Sequence, residues 1–354
     1  MRAVERYTAA GQTRVELLLQ ALRSLLGDER KRRILTSSLK QSTQLCVPLI
    51  NEGLDSVLEH SPTAAEIDQL VSSVEPAKRI WVSLSANVFT ASFRAVALGL
   101  AASADVKVKP STREGVLVRQ LAGETNGLFS LCSSVEATSG DHVHAYGSDA
   151  TLRTIQASLP EHVRFLGHGS GLGVCLVDAC KFTEDDAVAL ARDVVLFEQQ
   201  GCLSPRLVFA VAESSAEASR VTELLSKGLE AVSRRFPLSP LLQDYRAERL
   251  WFERTASFCG PVVRAGGALL LRSCHKPTVL VPPPLRCLNV VEVKRQPLHL
   301  ADLEKQVTTV AVVPSVSSLL RVPLGVRVCA LGQMQRPPFD GPVDRREADF
   351  STAS

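Results

Sequence analysis

Arg79-Ile80-Trp81-Val82-Ser83-Leu84, the small-residue run Ser92–Ala102 and Val106-Lys107-Val108-Lys109 follow one another in the first third of the chain. The first and last read as short apolar strands. The run between them, rich in Ala with Gly99 inside it, reads as a helix able to lie close on a sheet. Strand, helix and strand in that order make a βαβ unit, so the fold class is α/β with a parallel sheet. The alternation continues downstream with a helix at Arg113–Leu121, a strand at His142–Tyr146 and a helix at Asp149–Ser158. Strands at Val163–Leu166 and Gly173–Val177 come next, then a helix from about Glu184 to Glu198, a strand at Leu207–Val211 and a helix at Ala216–Arg234.

Upstream, residues 1–75 read as helices. Val15, Leu17, Leu18, Leu19, Leu22, Leu25 and Leu26 form a broad apolar face, and Asp28-Glu29-Arg30-Lys31-Arg32-Arg33 is a solvated helix surface. The last hundred residues hold more strands, Pro-rich turns at Pro282-Pro283-Pro284 and Pro337-Pro338, and a polar tail after Arg345.

A chain of 354 residues is long enough for two domains, each with its own core. A net charge of +3 gives no warrant for a nucleic-acid or membrane partner, and no apolar run reaches membrane-spanning length. The nine cysteines show no paired spacing of the zinc-site kind, so no metal is expected. An odd count with no signal-like N-terminal segment predicts free thiols and a cytoplasmic location.

One cysteine has a context suited to chemistry. In Glu198-Gln199-Gln200-Gly201-Cys202-Leu203-Ser204-Pro205, a helix stopping at Gly201 would expose the Cys202 thiol in a turn before a strand. A thiol at such a junction suits a nucleophile whose attack creates an oxyanion needing N–H donors; the alternative reading is that Cys202 is one more buried cysteine. Gly147-Ser148 sits between a strand and a helix, where N–H groups and a hydroxyl can meet a pyrophosphate; Ser148 also suits an N-cap. Gly167-His168-Gly169-Ser170-Gly171-Leu172-Gly173 has glycine spacing of the dinucleotide type but leads into a strand, so that fingerprint is not met. His142 and His144 share one face of a strand and read as packing.

Taken together and in order, these segments resemble the aldehyde dehydrogenase superfamily. Glu-Gln-Gln-Gly-Cys-Leu-Ser-Pro and the C-terminal Gly332-Gln333-Met334-Gln335-Arg336-Pro337-Pro338 are similar to its acyl-CoA reductase family. The resemblance implies an aldehyde-dehydrogenase-like fold: a Rossmann-type cofactor domain over 1–172 with a helical N-terminal part, a catalytic domain over 173–345 and a tail over 346–354, with Cys202 at the cleft. It implies Cys202 as the acyl-accepting nucleophile and Asn87 as the side-chain donor to the oxyanion. Lys109 and Ser111 would lie at the adenosine ribose, Gly147 and Ser148 would face the cofactor, and His168 is a candidate acid/base with a structural hydrogen bond as its alternative. A small Ser111 leaves room for a 2′-phosphate and Arg113 could add charge to it, so the expected cofactor is NADPH.

Phe165 stands where hydrolytic relatives carry the Glu that activates water, so an acyl-enzyme should persist for reduction. The expected reaction is therefore the reduction of an acyl-CoA or acyl-carrier thioester to a fatty aldehyde. In the family, partners include an acyl-protein synthetase and an acyltransferase, and a homo-oligomer is compatible with it. An acyl-phosphate reductase of the glutamyl-phosphate type and a non-catalytic scaffold are the alternatives. The second is motivated by Asp340-Gly341-Pro342-Val343-Asp344-Arg345, where the family usually has His-Asp-Gly-Arg.

Overall fold

The computed structural model describes residues 2–240, 243–273, 279–300, 303 and 306–346, without side chains for 2–7 and 243–245. The expected tail at 346–354 lies outside the described residues from 347 on. Two compact units are formed, one by residues up to Ser170 together with the segment from Pro337, the other by Gly171–Arg336.

The first unit opens with helices α1 (Arg2–Gly27), α2 (Glu29–Thr43), α3 (Val47–Glu52) and α4 (Ala64–Ser72). Val15, Leu18, Leu19, Leu22 and Leu25 of α1 are buried at helical spacing, whereas Leu17 falls off that stripe and is exposed. The charged run at 28–33 starts α2: Asp28 caps it, accepting from the N–H groups of Arg30 and Lys31 at 2.9 Å each.

The sheet follows, as β1 (Ile80–Ser83), α5 (Ala91–Ala102), β2 (Val106–Lys109), α6 (Val116–Glu124), β3 (Ser130–Leu131), β4 (His142–Tyr146), α7 (Asp149–Ser158) and β5 (Arg164–His168). The strand order is β3-β2-β1-β4-β5 and every pairing is parallel. Helix α5 is buried nearly all round. A Cβ on its Gly99 would come within 3.2 Å of Val106 Cγ1 and 3.3 Å of Val82 Cγ2, so the glycine is what lets the helix lie this close to the sheet. Leu152 of α7 packs with Trp81, Val143 and Ala145 on the opposite strand face.

The second unit comprises β6 (Leu172–Asp178), α8 (Glu184–Val195), β7 (Pro205–Val211), α9 (Ser215–Arg235), α10 (Gln243–Ala256), β8 (Val262–Ala265), β9 (Ala268–Ser273), β10 (Cys287–Val293), β11 (Leu298–His299), β12 (Val307–Val312), β13 (Leu320–Arg321) and β14 (Arg327–Cys329). Its seven-stranded sheet runs β14-β12-β6-β7-β10-β9-β8 and is parallel except for β8 against β9. Leu172, Val174 and Leu176 with Leu207, Phe209 and Val211 line one face of a buried core. The inner strands β6, β7 and β10 of this sheet are buried along most of their length, as strands covered on both faces are.

From Pro337 the chain belongs to the first unit. Arg94 Nη1 donates to Gly341 O at 2.8 Å and Nη2 to Pro337 O at 2.9 Å, while Phe339 stacks on Phe93 with centroids 5.9 Å apart. The sequence expectation carried the second unit to 345; the buried Arg94 guanidinium, needing acceptors, draws the segment onto α5 instead.

Candidate active site

Helix α8 stops at Val195, not at Gly201 as the sequence suggests. Phe197 (φ 51°), Glu198 (φ 51°) and Gln199 (φ 61°) then take left-handed conformations, which cost non-glycine residues roughly 1 kcal/mol or more each. What holds them there is tertiary. The buried Glu198 carboxylate accepts from Arg286 Nε at 2.7 Å and Nη2 at 2.9 Å, and from Ser239 N at 2.9 Å. Gln199, also buried, accepts from Cys287 N at 2.8 Å and donates to Cys287 O at 2.8 Å and Pro205 O at 2.6 Å. The chain then turns through Gly201, Cys202 and Leu203 into β7.

Cys202 is half-buried in that turn, at the amino end of β7. Cys175 and Cys287 are buried in the same unit, and burial pushes both thiols up, Cys287 to about 12. Those two are inert core residues.

Three further contacts fix the turn. Thr308 Oγ1, at the start of β12, donates to the Cys202 carbonyl. Gln335 Nε2 donates to Ser204 Oγ at 2.9 Å and to Asp193 O at 3.3 Å. The Asp193 carboxylate in turn accepts from Gly332 N at 2.7 Å and Met334 N at 3.2 Å. Burial raises the Asp193 carboxyl to about 7, against the opposing pull of the backbone N–H groups of Gly332, Met334 and Gln335. The motif at 332–335 is thus knitted to the end of α8 and to the cysteine turn. Sequence reading singled out Cys202 and the C-terminal motif but missed Asp193, Glu198, Gln199, Arg286 and Thr308. A carboxylate and a glutamine inside otherwise apolar stretches were the available signal.

The other candidates belong to the first unit, where they share one edge. Asn87 is exposed in the bend after β1; Lys109 ends β2 and Ser111 follows it, its Oγ accepting from Arg113 N at 3.2 Å. Gly147 and Ser148 follow β4, and His168 ends β5. All therefore lie at the carboxyl ends of parallel strands, around the point where the strand order reverses between β1 and β4. That is where open α/β sheets bind ligands.

Gly147 N donates to His168 O at 3.2 Å, and Ser148 Oγ caps α7 by accepting from Thr151 N at 3.3 Å. The ten-residue α7 leaves further N–H groups at its start, which suits a pyrophosphate. His168 stacks on Tyr146 with centroids 4.5 Å apart. Burial holds its imidazole below the ordinary value, Asp344 pulling it up and Arg346 pushing it further down. His144, on the same strand face as Tyr146, is pushed down to about 3 by burial and then by His168 and His142, which fits a packing role. No group of three or more His, Cys, Asp or Glu side chains is poised for a metal among the described residues. Nor, among them, is any helix long and apolar enough to cross a membrane.

Known proteins resemble this chain at two levels. Its fold is similar to that of the Mycobacterium tuberculosis aldehyde dehydrogenase solved with NAD+ (TM-score 0.63, 12% identity, 89% of this chain and 77% of that one). PnpE from Pseudomonas sp. WBC-3 is similar (TM-score 0.64, 13% identity, 90% and 76%), as is proline utilization A from Bradyrhizobium japonicum (TM-score 0.62, 13% identity), of which the chain covers 40%. At these identities the likeness concerns the fold, which is that of the aldehyde dehydrogenases. In sequence, the long-chain acyl-protein thioester reductase of Aliivibrio fischeri is 26% identical over 126 residues, or 36% of this chain and 26% of that protein. The profile of the family described as acyl-CoA reductase (LuxC) matches residues 128–341. That span holds Gly147, Ser148, His168 and Cys202, while Asn87, Lys109 and Ser111 precede it. With the match covering more than half of its length, the chain belongs to the acyl-CoA reductase (LuxC) family.

Proposed function

We propose that this protein reduces a fatty acyl thioester to an aldehyde through an acyl-enzyme on Cys202, with NADPH as reductant. The observation that carries the reading is the braced turn at 199–205, which keeps Cys202 half-exposed while the neighbouring cysteines are sealed in the core. Cys202 gives up its proton, and its thiolate attacks the thioester carbonyl and expels the thiolate of CoA or of an acyl carrier, which takes up that proton. The oxyanion takes hydrogen bonds from the Asn87 amide and the Cys202 N–H. NADPH, when bound, would supply a hydride for the acyl-enzyme carbonyl. Release of the Cys202 sulfur then yields the aldehyde and regenerates the thiol by taking up one proton.

Phe165, half-buried on β5, offers no carboxylate to activate water, which favours reduction over hydrolysis. Lys109 would bind the adenosine ribose, and Ser111 with Arg113 the 2′-phosphate; α7 would receive the pyrophosphate. Burial disfavours the charged form of His168, which is proposed as an acid/base group with a structural hydrogen bond as its alternative role. The proposed substrate is a CoA or an acyl-carrier thioester, and an acyl-protein synthetase and an acyltransferase are the proposed partners.

Incubation with radiolabelled acyl-CoA should leave label on the Cys202 peptide, and Cys202→Ala should abolish both label and NADPH turnover. Full turnover in that variant would end the proposal. A non-catalytic scaffold, favoured by the departure at Asp340–Arg345, would instead show no NADPH binding by fluorescence.

A further inference from the structure

Gln199 Nε2 reaches Pro205 O at 2.6 Å, so one side chain closes residues 199–205 into a hydrogen-bonded loop with Cys202 at its middle. The same amide grips both the N–H and the carbonyl of Cys287 at the head of β10. Gln199 is completely buried and is aimed by its neighbour: Glu198 is locked to Arg286, itself the residue before Cys287. The pairing is repeated in the backbone, with Leu285 N donating to Glu198 O at 3.1 Å, and in the conformations, since Leu285 (φ 71°) and Arg286 (φ 58°) are also left-handed. Two further donors of Arg286 go to Ser233 Oγ at 3.0 Å and Pro237 O at 3.4 Å.

Two left-handed runs, 197–199 and 285–286, are thus cross-tied at the start of the 199–205 loop. A buried ion pair is seldom the most stable filling for a core; apolar residues of the same volume often serve as well or better. What the pair does supply is a fixed direction for the Gln199 side chain. That direction sets the span from Gln199 to Pro205, and with it the position of the Cys202 sulfur and backbone N–H.

We infer that Gln199, held by the Glu198–Arg286 ion pair, is a positioning residue for the reaction at Cys202. The inference rests on the proposed acyl transfer to that thiol. Misplacing a reacting group by a fraction of its hydrogen-bonded geometry slows the chemical step far more than it weakens binding.

The test compares Gln199→Met, which removes three hydrogen bonds without stranding a charge, with the double variant Glu198→Leu/Arg286→Met, which removes the pair as a unit. Val221→Ala, in the buried face of α9, serves as a control for lost stability alone. Each is assayed for the rate of acyl transfer from acyl-CoA to Cys202 per folded molecule, for kcat and the KM for NADPH, and for alkylation of Cys202 by iodoacetamide. Acyl transfer and kcat should fall by about tenfold to a hundredfold in both clamp variants, with the KM for NADPH unchanged and alkylation still occurring. The control should transfer acyl groups at the wild-type rate per folded molecule. Wild-type acyl transfer in the clamp variants would overturn the inference and leave the role of Cys202 intact. Failure of the folded wild-type protein to take up an acyl group would sink the role of Cys202 itself, and the inference with it. If Gln199→Met does not fold, the double variant decides the matter by the same readouts.

Discussion

A methyl group built on Gly173 would lie 2.4 Å from Met334 Cε, 2.7 Å from Leu203 O and 2.9 Å from the Ser204 carbonyl carbon. Two of those atoms are backbone of the cysteine turn, which cannot yield without moving Cys202. Gly173→Ala should therefore cost about 1–3 kcal/mol in a urea titration and slow turnover as well. Asp193 makes a prediction in pH. Its folded carboxyl is raised to about 7 by burial, above the ordinary value of 3.8. The folded state then holds the proton more tightly, so this group's contribution is fully present below about pH 4. It is lost as pH rises through about 7. Asp193→Asn cannot titrate, and its stability relative to wild type should improve by up to roughly 4 kcal/mol between pH 4 and 8. Denaturant titrations across that range would show it; a difference that stays constant with pH would contradict the assignment.

At the scale of elements, the turn before Cys202 depends on a partner far along the chain. Arg286→Met alone strands the Glu198 carboxylate in the core and should cost about 3–5 kcal/mol by urea titration, most of it recovered when Glu198→Leu is added. A loss in the double variant equal to the sum of the losses in Arg286→Met and Glu198→Leu taken singly would mean the pair is not coupled. The same turn marks where sequence reading fails. β2, β4 and α7 fall on the expected residues because alternation, β-branched content and the Ser148 cap are local signals. Glu198-Gln199-Gln200, by contrast, consists of good helix formers, and nothing nearby announces a left-handed turn. Arg286 and Cys287, which impose it, are 88 residues away. Gly201 and Pro205 placed Cys202 correctly in a turn, but the side chains that shape the turn could be found only from coordinates. Leu17 shows the same limit on a smaller scale: an apolar residue off the helical stripe is indistinguishable by composition from its buried neighbours.

For the molecule as a whole, the candidates divide between two sheets: Asn87, Lys109, Ser111, Gly147, Ser148 and His168 at the carboxyl edge of the first, Cys202 at the amino edge of the second. Cofactor preference can therefore be probed in one unit without touching the thiol. Arg113→Ala should raise the KM for NADPH about tenfold, as the loss of one charge-assisted contact allows, and leave that for NADH nearly unchanged. An equal effect on both would place the 2′-phosphate elsewhere.

Because Pro337–Arg346 rejoins the first unit, that unit is built from both ends of the described sequence, with the second threaded in as an insert. During synthesis, Phe93 and the Arg94 guanidinium must wait for Phe339 and Gly341, some 250 residues later, to leave the ribosome. Until then the nascent chain carries an unfinished core, and a growing polypeptide halted before residue 337 would be a natural client for chaperones.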